Sequence, residues 1–292
     1  MVIRKHLLVG IIVLVGSPML SLAGRAQTAP PAPFGQAGAT GKSADGTTSE
    51  EKAAPAPLRD LTGIWQSNGI DQYGYRGGTQ AFGAWSMPSD GKPEHQPPYT
   101  PAGLQAYHAN KPSFGVDAVP VSSVNDPLFG CEPRGMPRQD LYELGAVQIV
   151  QTPQQMIVLY TRGGIWRVIP SDGRELPKNP DSSWYGTSVG KWEDDTTFVA
   201  ETVGMDERTW IDNAGRPHSD QLRVIERFHR VNHDKMELTV IIDDPKYYTK
   251  PWVAMDRLPF DLRPPGTPMG QQHCSPSEIA NYNKMVSDTV GK

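Results

Sequence analysis

One loop and the strand predicted to follow it concentrate side chains that could transfer protons. Asp212 and His218 lie in the stretch that ends at Asp220, and Glu226 lies in the apolar run behind it. A carboxylate can orient an imidazole, and histidine titrates close to neutral pH, so it can accept and return a proton. We therefore predict His218, Asp212 and Glu226 as acid-base residues. The competing interpretation is that these residues are structural. Residues 213–215 would form a tight turn, and His218 would either cap that turn or be exposed to solvent.

The position of Glu226 is unusual for a carboxylate. Alternation along 222–231 predicts a strand with one face that is apolar except at Glu226. A buried carboxylate is unfavourable unless it is paired, hydrogen-bonded or protonated. It is therefore either an acid-base or ligand-binding group in a barrel cavity, or one half of an ion pair. Arg162, which shares a predicted strand face with Tyr160, and Arg167 are the candidate partners.

Arginine and aromatic side chains are the candidates for binding a ligand. Guanidinium groups can hold an anionic group, and aromatic rings around the mouth of a barrel suit a flat apolar molecule. The same aromatic residues are more often core residues, which is the alternative for each of them. The predicted ligand-binding residues are Arg134, Tyr160, Arg162, Arg167, Tyr185 and Trp210.

Several kinds of chemistry are absent from the sequence. His229 and His233 fall on a predicted strand and turn, so they do not share a face as the ligands of a helical zinc motif do. The acidic turn at 243–245 lacks the spacing of an EF-hand. There is no Gly-rich phosphate loop, dinucleotide fingerprint or Gly-x-Ser-x-Gly elbow, so neither a metal nor a cofactor is predicted. A formal net charge of −4 excludes the strongly basic surface of nucleic-acid-binding proteins.

The sequence pattern around these residues predicts strands joined by turns. With 29 glycines and 28 prolines the chain is rich in turns, and Gly163-Gly164 is typical of a tight hairpin. The pattern predicts an all-β antiparallel barrel with little helix, or alternatively a sandwich. One helix is predicted at 101–110, capped by Thr100, inside a Gly/Pro-rich stretch, 67–138, that could be a lid, a second layer or a plug. The predicted strands are 61–65, 144–151, 155–162, 165–170, 189–193, 196–203, 222–231 and 235–243.

The chain divides by composition into three parts. Residues 1–26 have a basic start, an apolar run and a small-residue exit, which predicts a secretory signal peptide rather than an uncleaved anchor. Residues 27–57, rich in Ala and Pro, are predicted to be a flexible linker, and 58–292 a single barrel domain. We therefore expect a periplasmic or secreted protein with no membrane span after signal cleavage.

The chain has two cysteines, Cys131 and Cys274. In an oxidising compartment such a pair is expected to form a disulfide that ties the C-terminal segment to the barrel. A nucleophilic cysteine is the alternative, although neither residue lies in a known nucleophile signature.

A set of motifs spread over residues 58–252 resembles a known family. The motifs are LTGIW at 61–65, CEPRGMPR at 131–138, GTSVGKWEDDT at 186–196, TWID at 209–212, GRPHS at 215–219, ERF at 226–228 and DPKYYTKPW at 244–252. They are similar to a family of exported bacterial β-rich proteins that are lipocalin-like. The resemblance implies a closed barrel around a cavity, and it brings no established activity or site residue. The chain departs from the family at Asp194, where the family pattern has glycine.

These observations favour an exported barrel that holds a small apolar or aromatic ligand in an internal cavity. Two alternatives remain. One is a cofactor-independent hydrolase, lyase or isomerase that uses His218, Asp212 and Glu226 on the same barrel. The other is a structural or interaction protein of the cell envelope. The sequence leaves the oligomeric state open.

Overall fold

A computed structural model describes residues 53–67, 75–76, 79–80, 83–142, 144–270 and 274–290. The chain divides into two units, Met1–Glu50 and Glu51–Lys292, and the barrel belongs to the second. The predicted signal peptide and residues 27–52 of the predicted linker lie outside the described residues. The end of the linker is attached to the barrel, because the backbone N–H of His233 donates to the carbonyl of Ala54 at 2.9 Å.

The described residues form thirteen strands, and nine of them make one antiparallel sheet that curves into a nearly closed barrel. The order in that sheet is β8-β7-β6-β1-β13-β12-β11-β10-β9, which confirms the all-β barrel. The strands are Gly63–Ser67 (β1), Tyr75–Arg76 (β2), Thr79–Gln80 (β3), Gly83–Ala84 (β4), Met87–Pro88 (β5), Ala146–Gln151 (β6), Gln155–Tyr160 (β7), Trp166–Pro170 (β8), Thr187–Trp192 (β9), Thr197–Val203 (β10), Arg223–Arg230 (β11), Lys235–Asp243 (β12) and Trp252–Arg263 (β13).

The inner face of the barrel follows from alternation along each strand. On β11 and β12, Val224 pairs with Ile242 and Phe228 pairs with Leu238, and all four side chains are buried. The largest buried side chains belong to one continuous hydrophobic core, and they include Trp65, Met156, Ile169, Phe198 and Phe260. Large apolar side chains therefore point into the barrel interior, and the predicted internal ligand cavity stays a prediction.

The barrel closes at β8 and β9 without a backbone ladder. Because nine antiparallel strands are an odd number, the two edge strands run in the same direction and cannot pair as their neighbours do. Side chains fill the seam instead: Arg167 Nη2 of β8 donates to Ser188 Oγ of β9 at 3.2 Å. Gly190 leaves room for its neighbours, since a Cβ there would lie 2.3 Å from the Phe198 ring and 2.9 Å from Ile169 Cγ2.

β13 is the barrel strand that the sequence did not predict. Its register against β12 shifts between Leu238 and Ile241, and Arg257 has a left-handed φ of 48°. These irregularities break the alternation by which a strand is recognised, and Pro259 lacks the N–H that a ladder uses. The strand was missed for these reasons, although it contacts both β1 and β12.

Three helices and a covering layer complete the described fold. Thr100 Oγ1 accepts from Gly103 N at 3.0 Å at the start of the first helix, which confirms the predicted cap. The layer spans 83–138 and lies over one barrel end, where Thr100 N donates to Tyr247 O and Ser86 N to Ala254 O, each at 2.9 Å. The helices are Pro101–Ala109 (α1), Arg138–Leu141 (α2) and Pro276–Val290 (α3), with 3₁₀ turns at Pro93–His95, Val121–Ser123 and Pro127–Gly130.

The predicted disulfide is present. Cys131 and Cys274 are bonded, with their Cα atoms 5.6 Å apart. The bond fixes the chain just before α3 to the covering layer, next to the turn Pro127–Gly130.

Candidate functional site

α2 is a short helix of polar residues at the covered end of the barrel. Arg138, Gln139 and Asp140 are all buried, with 2%, 0% and 1% of their surface exposed. Buried polar groups are normally hydrogen-bonded, so partners for these three side chains are expected nearby. Asp140 contacts the barrel interior, whereas Arg138 and Gln139 line a surface cleft.

The interior polar cluster is centred on Arg167. Its guanidinium makes a two-pronged ion pair with Glu226, with Nη1–Oε1 at 2.8 Å and Nη2–Oε2 at 2.7 Å. Nη1 also donates to the Tyr160 hydroxyl and Nη2 to Thr202 Oγ1, each at 3.0 Å. Glu226 does point inward as its strand face predicts, and of the two candidate partners Arg167 is the one that pairs with it.

Asp140 completes this cluster with a second carboxyl group. Tyr160 donates its hydroxyl proton to Asp140 Oδ1 at 3.0 Å, and Asp140 Oδ2 lies 4.0 Å from Arg167 Nη1. Burial and the negative charge of Glu226 raise the pKa of Asp140 well above its ordinary value. One guanidinium cannot neutralise two carboxylates, so Asp140 is the group that keeps its proton. The cluster is closed to solvent, which favours the ion-pair interpretation of Glu226.

Asp212 anchors a loop and does not orient His218. Its carboxylate accepts from Ala84 N and Arg216 Nη1, each at 2.9 Å, and from Ala214 N at 3.0 Å. These contacts join the loop after β10 to the strand β4 of the covering layer. The structure therefore places Asp212, His218 and Glu226 in three different environments instead of one catalytic site.

His218 has a hydroxyl partner that sequence reasoning missed. Its Nδ1 lies 3.2 Å from Ser219 O, which can only accept, so Nδ1 carries the proton and Nε2 is left as an acceptor. Nε2 lies 2.8 Å from Thr209 Oγ1, whose single proton can go there or to Asp206 O at 2.9 Å. Burial lowers the pKa of His218 and keeps the imidazole neutral. Thr209, Trp210 and His218 line a cleft of about 490 Å³, called the His218 cleft.

A second cleft, of about 550 Å³, lies over α2 and is called the α2 cleft. It collects two predicted ligand-binding residues, Arg134 and Tyr185, next to polar residues of α2 that were not predicted. The disulfide-bonded Cys131 and Cys274 also line this cleft. Its apolar and aromatic lining consists of Phe114, Leu128, Phe129, Pro133, Tyr142, Ile165 and Tyr185, and its polar lining of Glu132, Arg134, Arg138 and Gln139.

The polar wall of the α2 cleft is held by specific bonds. Arg138 donates from Nη1 and Nη2 to both oxygens of Asp126, at 2.8 and 2.6 Å, and its cation lies 5.4 Å from the centre of the Tyr142 ring. Gln139 Nε2 donates to the backbone carbonyl of Arg162 at 3.1 Å. Arg162 lies in the turn that follows β7, and its backbone carbonyl holds the side chain of Gln139 in place. Arg138 Nε and Gln139 Oε1 are buried and have no hydrogen-bond partner in the described part of the chain.

Comparison of the chain with protein-family models, with curated proteins and with solved structures found no match. The resemblance to exported lipocalin-like proteins stays a prediction. Over the described ranges there is no cluster of three or more His, Cys, Asp or Glu side chains that could hold a metal ion. The same ranges contain no helix long and apolar enough to cross a membrane.

Proposed function

We propose that this chain is an exported binding protein that holds a small apolar or aromatic molecule in the α2 cleft. The observation that carries the proposal is the lining of that cleft, which is mainly aromatic and aliphatic with a few polar groups at one wall. A volume of about 550 Å³ lies within the usual range of small-molecule sites, and such a lining is characteristic of them. The disulfide supports export, because such bonds persist in oxidising compartments.

The walls of the cleft offer ring faces at an angle. Phe114 and Tyr142 have centroids 6.2 Å apart and planes inclined by 46°. Tyr185 and Ile165, both partly buried, also line the cleft. A flat molecule bound in the cleft would replace water against several apolar surfaces at once, which is the main source of affinity in such sites.

The walls are also fixed in place before any ligand binds. The Arg138–Asp126 ion pair, the Gln139–Arg162 hydrogen bond and the disulfide each tie a different lining segment to its neighbour. A site that needs little ordering on binding keeps more of its contact energy as affinity.

The test is retention and titration of an aromatic ligand. The mature protein would be analysed by native mass spectrometry for a retained compound, then titrated with a fluorescent naphthalene probe. Ile165→Trp fills the cleft and is expected to weaken probe binding by at least about tenfold. Val168→Trp, on the exposed outer face of β8, is the matched control and should leave binding unchanged. Absence of a retained compound and of probe binding would favour the structural role instead.

A second candidate function is supported by the Thr209–His218 contact of 2.8 Å. His218 Nε2 could take the Thr209 proton while Oγ1 attacks an ester carbonyl, and the imidazolium would return that proton to the leaving alkoxide. Water would then hydrolyse the acyl-threonine. Thr209→Val, which keeps the shape and removes the hydroxyl, should abolish hydrolysis of any ester that the protein cleaves. Equal rates in both proteins would reject this activity.

A further inference from the structure

Gln139 presents an acceptor that nothing in the described residues satisfies. Its Nε2 faces the carbonyl of Arg162, which can only accept, so the orientation of the amide is determined and Oε1 lies on the other side. The residue has 0% of its surface exposed, and Oε1 has no hydrogen-bond partner in the described chain. A buried acceptor left without a donor is unfavourable, and its presence on the wall of a cleft indicates that a ligand supplies the donor.

Arg138, the preceding residue, presents a donor in the same cleft. Both terminal nitrogens of its guanidinium are bonded to Asp126, whose carboxylate also balances the charge. The remaining Nε–H is buried and, among the residues that the structure describes, has no acceptor. What Arg138 offers to a ligand is therefore one N–H group and not a free positive charge.

The two groups together distinguish between ligand head groups. A carboxylate supplies acceptors for Arg138 Nε but no donor for Gln139 Oε1, and it would bring negative charge against that oxygen. An ester likewise has no donor. An uncharged carboxamide has a carbonyl oxygen for Arg138 and an N–H for Gln139.

We infer that the ligand of the α2 cleft is an aromatic or apolar molecule with a carboxamide or lactam head group. This inference rests on the proposed function and adds the head group to it. The apolar lining takes the body of the molecule, and Arg138 and Gln139 of α2 take the head group. Sites with buried polar groups reject ligands that leave those groups unpaired, so the head group should determine specificity.

Three probes that share one ring system test the inference. The wild-type protein would be titrated with 2-naphthamide, 2-naphthoate and methyl 2-naphthoate, each alone, by calorimetry or fluorescence. We expect the amide to bind at least about tenfold more tightly than the other two, as for a ligand that satisfies a buried hydrogen bond.

A pair of variants then assigns the preference to Gln139. Gln139→Met has a similar shape without the acceptor, and it should reduce amide affinity to the level of the ester. Gln154→Met removes a glutamine side chain from the exposed turn between β6 and β7 and should leave the order of affinities unchanged.

The outcomes separate the two proposals. If all three probes bind equally, or the carboxylate binds best, the head-group inference is wrong and the proposed function stands. If none binds, the proposed function is wrong and the inference is rejected with it. Should Gln139→Met fail to fold, the wild-type series alone still decides.

Discussion

Two buried polar regions lie on either side of α2, and they differ in whether an open volume adjoins them. In the interior cluster, both oxygens of Glu226 are bonded to Arg167, while Arg167 Nε, in the same closed space, has no hydrogen-bond partner among the described residues. At the α2 cleft, Gln139 Oε1 and Arg138 Nε also have no partner among the described residues, but here both residues line an open volume. Burial and charge are common to both regions. What distinguishes a binding site here is unmet hydrogen-bonding capacity beside space that a ligand can enter.

The largest expected effect is on the interior cluster. Arg167→Met leaves Glu226 buried without its counter-charge, which is expected to reduce the free energy of unfolding by about 3–5 kcal/mol. Urea unfolding of the variant and the wild-type protein measures this difference in the free energy of unfolding. Arg227→Met is the control, because Arg227 pairs with Glu193 on the solvent-facing side of the same sheet, where such pairs contribute at most about 1 kcal/mol. Equal losses in the two variants would contradict the structural role of the interior pair.

A pH series should give the next largest effect. Because the pKa of Asp140 is higher in the folded state, the folded protein keeps a proton that the unfolded chain releases above its ordinary value of 3.8. Stability therefore falls as pH rises from that value toward the folded-state pKa. Asp140→Asn resembles the neutral carboxyl and does not titrate, so its stability relative to wild type should increase with pH, by at most about 1.4 kcal/mol per pH unit.

Asp172 provides the matched control for the pH series. Its hydrogen bonds to Arg174 lower the pKa of this surface carboxyl to about 2. The stability that such a group contributes is complete above its unfolded pKa and is lost as pH falls below it. Asp172→Asn should therefore differ from wild type by a constant amount across neutral and mildly acidic pH. A flat difference for Asp140→Asn as well would show that Asp140 does not hold the proton.

The smallest expected effect is on the stability of the cleft wall. Gln139→Met removes an unsatisfied acceptor together with the hydrogen bond to Arg162 O, and these changes partly offset each other. We expect the free energy of unfolding to change by less than about 1 kcal/mol, while amide binding is lost. Thermal and urea unfolding would measure this. A loss as large as that of Arg167→Met would remove the difference between the two regions.

The fold was predictable wherever the signal is local. Gly163-Gly164 marks a hairpin and Thr100 caps α1, and alternation in β11 placed Glu226 inward. Such features depend on neighbouring residues, whose conformations the sequence constrains directly. β13 was missed because register shifts interrupt its alternation.

The candidate site was less predictable because its contacts are long-range. Nothing in the sequence near Glu226 selects Arg167 over Arg162, since the choice depends on β7 ending at Tyr160. Arg138 ends a Gly/Pro-rich stretch without periodicity and Gln139 follows it directly, so their burial had no sequence signal. The CEPRGMPR motif contains Arg134, which was predicted to bind a ligand, but it ends at Arg138, the first residue of α2, and so does not include Gln139.

The order of the strands in the barrel has a consequence for the path of the chain. Read around the barrel from β9, the sheet runs β9, β10, β11, β12, β13, β1, β6, β7, β8. Among the nine barrel strands, those joined by ladders are thus consecutive in a circular reading of the sequence. The break in that circle falls between β13 and β1, where Trp65 pairs with Leu262. A circular permutant opened within 171–186 would keep every ladder of the barrel and place its new ends at the seam, with the covering layer as a long insertion between β1 and β6.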